Sequence, residues 1–136
     1  MAILYQLEPQ LDPLEFADIL NRSTLAERRP TDPERLRQMV ENANLIVTAR
    51  NETGLLVGVA RSVTDFVFCT YLSDLAVDET LQKQGVGREL IRQTKLAAPQ
   101  AKLILLAAPK AVGYYPRIGM SHFEHCYLLD KVEDLH

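Results

Sequence analysis

A strand-like apolar run, Leu75-Ala76-Val77, ends in a polar turn and passes through Gln82-x-x-Gly85-x-Gly87 directly into an amphipathic helical pattern. No other stretch constrains the chain as tightly, because it sets a strand, a glycine turn and a helix in immediate succession. Glycines at such a turn let main-chain N–H groups approach a ligand closely. The helix N-terminus adds roughly half a positive charge, and the combination favours a pyrophosphate. An anionic, phosphate-bearing cofactor is the expected ligand.

Two familiar phosphate loops do not fit. A dinucleotide fingerprint needs a third glycine or alanine, but the position three after Gly87 is Leu90. A P-loop needs Gly-Lys-Ser/Thr, whereas Gly87 is followed by Arg88 and Glu89. The segment instead resembles motif A of the GNAT acyltransferase superfamily, Gln/Arg-x-x-Gly-x-Gly/Ala, preceded by that family's Leu-x-Val-Asp strand end, here Leu75 to Asp78. Downstream, the run from Ala111 to Met120 resembles the GNAT motif B, Ala-x-x-Phe-Tyr-x-x-x-Gly-Phe, with Tyr115 on the family tyrosine and Gly119 on the family glycine. Pro116 and Met120 depart from that pattern. The two motifs cover Leu72 to Met120. The stretch from Leu56 to Ile91 is also similar to the plant and cyanobacterial arylalkylamine (serotonin-type) acetyltransferases, which carry a Gly-x-Ala-Arg run, here Gly58 to Arg61, and an Asp at the place of Asp74.

The resemblance implies a single acetyltransferase domain over residues 1–136, with acetyl-CoA as co-substrate and no metal. Its cofactor contacts would fall on Leu75, Ala76, Val77, Gln82, Lys83, Gln84, Gly85, Val86, Gly87, Arg88 and Tyr115. In the family the pantetheine arm lies like an added strand in a gap beside the strand matching Phe68 to Val77, so the main chain of Leu75 and Val77 would meet it. A backbone amide at a bulge in that strand can serve the oxyanion. Tyr115 would lie near the thioester sulfur and protonate the departing thiolate. A thiol of pKa ~8.5 needs little such help, which leaves cofactor positioning or simple core packing as its other roles.

Asp74 is read as sharing a strand face with Leu72 and Ala76, an acid where alternation calls for an apolar side chain. It is the first candidate for the base that deprotonates an amine, directly or through water. A structural carboxylate, or one that binds a cation, is the alternative. Asp65 reads as a hairpin-turn residue, and Arg28 and Arg29 as part of a solvated loop. His122 and His125 have odd spacing on an expected strand and so do not share a metal site. Cys69 and Cys126, far from any metal-ligand spacing, are expected to be reduced and buried.

The rest of the pattern gives a mixed α/β order. A strand from Ala2 to Leu7 is followed by a helix from Asp12-Pro13, with Leu14, Phe16, Ile19 and Leu20 as its apolar positions, a polar connector from Asn21 to Pro30, and a second helix from Asp32-Pro33 to about Asn42. Strands at Leu45–Arg50 and Leu55–Phe66 flank the hairpin signal Asn51-Glu52-Thr53-Gly54, and the next spans Phe68–Val77. A helix over Val86–Ala98, a doubly covered strand over Lys102–Ala108, a short helix over Lys110–Ile118 and a last strand over Met120–Leu129 complete the order. The expectation is a central mixed sheet of about six strands with flanking helices, splayed after the fourth strand.

With 136 residues, one core is the natural size. The balance of 15 basic against 18 acidic residues leaves no basic footprint for nucleic acid or an anionic membrane and points toward cationic partners. No apolar run approaches the ~18 residues of a membrane span, and the opening residues lack a basic region before an apolar one, so a cytoplasmic location is expected. Together these readings describe an N-acetyltransferase acting on the primary amine of a small molecule by direct attack in a ternary complex; a homodimer is compatible with it. The alternatives are a protein lysine or N-terminal acetyltransferase and a non-catalytic acyl-CoA sensor.

Overall fold

The computed structural model describes residues 2–136, which divide into two compact units, one reaching to Leu106 and the other spanning Ala107–His136. The first unit holds the sheet. Its elements are β1 (Leu4–Leu7), α1 (Pro13–Ser23), α2 (Pro33–Asn42), β2 (Leu45–Arg50), β3 (Leu56–Thr64), β4 (Cys69–Val77), α3 (Val86–Ala97) and β5 (Lys102–Ile104). The second unit contains the short α4 (Tyr114–Arg117) between two 3-10 turns, Pro109–Ala111 and Val132–Asp134.

Local chemistry starts the helices. Asp12 and Asp32 cap α1 and α2, their side chains accepting from Leu14 N (2.9 Å) and Glu34 N (3.2 Å), and a proline fills the first turn of each. On α1 the spacing of Phe16, Ile19, Leu20 and Ser23 gives one buried face, while Leu14 is exposed. On α3 the buried positions are Val86, Leu90 and Thr94, and Leu96 faces solvent.

The strands run β1-β2-β3-β4-β5, antiparallel except for the parallel β4–β5 pair. Helices α1 and α2 cover one face through Phe16, Ile19, Leu36 and Val40 against Ile46, Leu56, Val59 and Ala76. Helix α3 covers the other, where Val86 and Leu90 meet Val47, Ala49, Ala60 and Leu72. Each fully buried side chain of this size contributes about 1.5–3 kcal/mol. Gly58 lets α3 approach closely: a Cβ there would stand 3.0 Å from Leu90 Cδ1 and 3.3 Å from Val86 Cγ1. The helix that follows the glycine turn is thus seated on the middle of the sheet.

Three features position the site. First, Asn51 Oδ1 accepts from Thr53 N and Leu55 N, both at 3.0 Å, and Asp65 Oδ1 accepts from Val67, Phe68 and Cys69 N, so both hairpins close as expected from their turn residues. Second, the β3–β4 register slips between Arg61↔Asp74 and Ser62↔Leu72, which leaves Ser73 as the extra residue of a bulge. Third, β5 pairs with Cys69, Thr70 and Tyr71, so among the described residues Leu72 to Val77 have no strand partner on that side and the sheet splays there.

Some expectations differ from the structure. Among the described residues the sheet has five strands, not about six. Residues 120–129 alternate like a strand but form none, because alternation supplies a face while a strand also needs a neighbour for its N–H and C=O groups. The run expected as a doubly covered strand over Lys102–Ala108 is a strand only to Ile104, and Ile104 and Leu106 are exposed. Cys69 and Cys126 are exposed rather than buried as expected, and each is a free thiol. Among the described residues no helix is long and apolar enough to cross a membrane.

Candidate active site

The site begins at the β4 bulge and runs along the free edge of that strand to the start of α3. Asp78 N donates to Val57 O (2.9 Å), so the residues of β4 that alternate with it, Leu75 and Val77, turn their main-chain groups to the opposite, unpaired edge. Val77 O is reached there by Gln82 Nε2 at 3.2 Å. The strand end is then folded into a 3-10 turn, Glu79–Leu81, by Asp78, whose side chain accepts from Thr80 N (2.9 Å) and Thr80 Oγ1 (2.7 Å). The Thr80 hydroxyl bond, with Arg22 Nη1 at 2.6 Å from Asp78 Oδ2, holds this carboxyl below its ordinary range. Leu81 is buried and anchors the turn.

Two left-handed residues follow, Lys83 (φ +67°) and Gly85 (φ +87°). For Lys83 this conformation costs on the order of 1 kcal/mol, and for glycine nearly nothing. Gly85 is the N-cap of α3, and the first intrahelical bond runs from Glu89 N to Gly85 O (3.0 Å). The N–H groups of Gly85, Val86, Gly87 and Arg88 therefore precede the helical ladder. A Cβ at Gly85 would meet no atom within 4 Å. Four N–H groups ahead of the helical ladder suit a pyrophosphate, and the free β4 edge suits an extended amide-bearing arm.

Of the residues expected from the sequence, Leu75, Ala76 and Val77 lie on one strand and Gln82 to Arg88 at the turn beside its end. Ala76 and Val86 turn their side chains into the two cores, so only their main chains are available. Gln82, Lys83, Gln84 and Arg88 are exposed. Tyr115 belongs to the second unit. There its ring meets that of Tyr114 edge-on with centroids 5.2 Å apart, its carbonyl accepts from Met120 N (3.0 Å) across Gly119 (φ +100°), and burial raises its hydroxyl above the ordinary value of 10.

Asp74 has surroundings that its sequence position did not show. The bulge at Ser73 puts Leu72 on the α3 face and Asp74 with Ala76 on the α1/α2 face, so the three do not share one face. Asp74 is fully buried, and each of its oxygens accepts from an arginine: Oδ1 from Arg29 Nε and Oδ2 from Arg61 Nε. Arg29 also donates to Ser73 O (2.8 Å), and Arg61 to Ser73 Oγ (3.0 Å) and Met39 O (3.0 Å). Arg29 is therefore no solvated loop residue; its guanidinium is drawn inward by a buried anion. The signal for Arg61 was present, since Arg61 and Asp74 stand nearly symmetrically about Val67 at the hairpin tip, as cross-strand partners must. Arg29 had no such signal, because it comes from a separate element.

Among the described residues no group of three or more His, Cys, Asp and Glu side chains could hold a metal ion.

Comparison with known proteins adds the family. The family model of the acetyltransferase (GNAT) domain matches residues 22–126. A histone acetyltransferase, TAP1 of Glycine max, is 33% identical over 72 residues, which are 51% of this chain and 31% of that protein, so the chain spans about a third of the relative's length. The fold is similar to that of a GNAT-family acetyltransferase from Streptococcus pneumoniae, with TM-score 0.76 and 19% identity over 96% of this chain and 100% of that one. It is also similar to an aminoglycoside acetyltransferase from an uncultured soil metagenome, solved with sisomicin, with TM-score 0.67 and 19% identity over 95% and 97% of the two chains.

Proposed function

Because this chain belongs to the acetyltransferase (GNAT) family, we propose that it transfers acetyl from acetyl-CoA to the primary amine of a small molecule, by direct attack in a ternary complex, as a single domain over residues 1–136. The observation that carries this reading is the free edge of β4 leading into the Gly85-capped start of α3. That arrangement fits the cofactor's two parts. The N–H groups from Gly85 to Arg88 would hold the pyrophosphate, with Gln82, Lys83 and Gln84 around it, and the main chain of Leu75 and Val77 would hold the pantetheine arm. Acetyl-CoA supplies the activated carbonyl. Leu75, the first residue past the bulge to face the free edge, offers its N–H to the negative charge that develops on the carbonyl oxygen. Tyr115 donates the proton that the leaving thiolate takes up.

Asp74 enters this proposal through the bulge. With both oxygens engaged by guanidinium groups it acts as the anion that holds Arg29 and Arg61 in place, and the amine loses its proton to water. The excess of acidic over basic residues and the fold shared with an aminoglycoside acetyltransferase support a small cationic acceptor. A second reading, transfer to a protein amine, is favoured by the histone acetyltransferase relative. A cytoplasmic setting is part of the same proposal.

The test is thiol release from acetyl-CoA with arylalkylamines, polyamines, amino acids and amino sugars on one side and lysine-bearing or free N-terminal peptides on the other. Turnover on a small amine is the expected result. Turnover on peptides alone would establish the second reading, and acetyl-CoA binding without turnover on either would make the chain an acyl-CoA sensor.

A further inference from the structure

The bulge at Ser73 sets which residues of β4 face the open edge. Before it, Cys69 O accepts from Asp65 N (3.2 Å) across the hairpin and Phe68 O accepts from Lys102 N (2.9 Å) on the β5 side, so even-numbered residues turn toward β5. After it, Asp78 N bonds Val57 O, and odd-numbered residues, Leu75 and Val77, turn to that edge. One extra residue thus exchanges the phase of the strand where its β5 partner stops. An extra residue in a ladder leaves a main-chain acceptor unpaired, and here Arg29 takes it at Ser73 O, while Arg61 bonds side-chain oxygens of the bulge. Arg29 binds Ser73 O and Asp74 Oδ1; Arg61 binds Ser73 Oγ and Asp74 Oδ2.

The two arginines come from different places. Arg61 is the cross-strand neighbour of Asp74 on β3 and is held further by Met39 O of α2 and by lying 5.9 Å above the Phe16 ring. Arg29 follows the 3-10 turn Leu25–Arg28 that connects α1 to α2. From this geometry we infer that Arg29 is a positioning residue for acetyl transfer: its fork locks the bulge of β4, and so keeps the main-chain groups of Leu75 and Val77 directed at the pantetheine arm. The inference rests on the proposed use of acetyl-CoA. The connector between the two helices thereby couples to the cofactor edge without touching the cofactor. Arginine suits this role because one planar group spans a carbonyl and a carboxylate at once, which a lysine ammonium does with poorer geometry.

Arg29→Gln tests it in two measurements. In calorimetry, acetyl-CoA should bind the variant ~10-fold or more weakly than wild type, while 3′-phosphoadenosine 5′-diphosphate, which keeps the pyrophosphate and lacks the arm, should bind both equally. In amide hydrogen exchange without ligand, wild type should protect Ala76 and Asp78 and leave Leu75 and Val77 fast, and the variant should lose that alternation. Equal losses for both ligands, or no loss for either, overturn the inference, as does an unchanged exchange pattern. Failure of wild type to bind acetyl-CoA removes the proposed function instead, and the exchange pattern then decides the clamp alone. Should Arg29→Gln not fold, Arg29→Lys is read in the same two measurements.

Discussion

Arg61 on β3 and Asp74 on β4 are cross-strand partners joined by a salt bridge at a point where the carboxylate has no exposure to solvent. Arg29 completes the group from the other side of the same carboxylate. Two guanidinium groups share one buried anion, and deletion of that anion leaves both without their charge partner.

Asp74→Asn is therefore expected to destabilise the fold by ~3–5 kcal/mol in denaturant titration, the range for breaking a buried ion pair by removing one member. Whatever activity the folded variant keeps should retain the wild-type pH profile. A flattened acidic limb would instead make Asp74 the base.

Gly85→Val is expected to weaken acetyl-CoA binding at least ~10-fold, or about 1.4 kcal/mol. The φ of +87° strains any side chain there, so valine would displace the backbone that presents the α3 N–H groups. Calorimetry on the folded variant checks this; equal affinity would exclude the glycine turn as the pyrophosphate site.

Tyr115→Phe keeps the ring and removes a hydroxyl whose pKa burial raises above its ordinary value of 10. Turnover should fall ~10²-fold with little change in acetyl-CoA affinity if that hydroxyl donates the proton. Full turnover would leave Tyr115 a packing residue.

Glu8 governs part of the acid stability. Its carboxylate accepts from Arg50 Nε (2.6 Å) and Nη2 (2.9 Å) and from Thr48 Oγ1 (2.6 Å), and the Arg50 bonds above all lower its pKa from 4.5 to about 2. A pKa depressed on folding stabilises the native state above the unfolded value and loses that contribution as pH falls through the folded one. Stability should thus decline between pH 4.5 and about 2, and Glu8→Gln should reduce that slope in pH-dependent thermal unfolding. An unaltered slope would assign the acid sensitivity to other carboxylates.

The fold was legible wherever a local rule sufficed. Asp12-Pro13 and Asp32-Pro33 start α1 and α2, Asn51 and Asp65 close the hairpins, and Gly85 opens α3, because caps and turns are decided by side chains within a few residues of the backbone they satisfy. Legibility failed for residues 120–129, where alternation described a face but not the neighbouring strand that would take up the hydrogen bonds.

By itself the sequence determined the strand–turn–helix unit around Gly85 and the two helices before the main sheet, since each depends on contacts near in the chain; the candidate cofactor residues from Leu75 to Arg88 came from the family resemblance. Only the tertiary structure decided that Ser73 bulges, that Leu72 and Asp74 consequently face opposite sides of the sheet, and that Arg29 closes on Asp74 from 45 residues away. A one-residue slip in register changes the side of every following side chain, and which slip occurs depends on the partners that arrive from distant elements to satisfy the displaced groups.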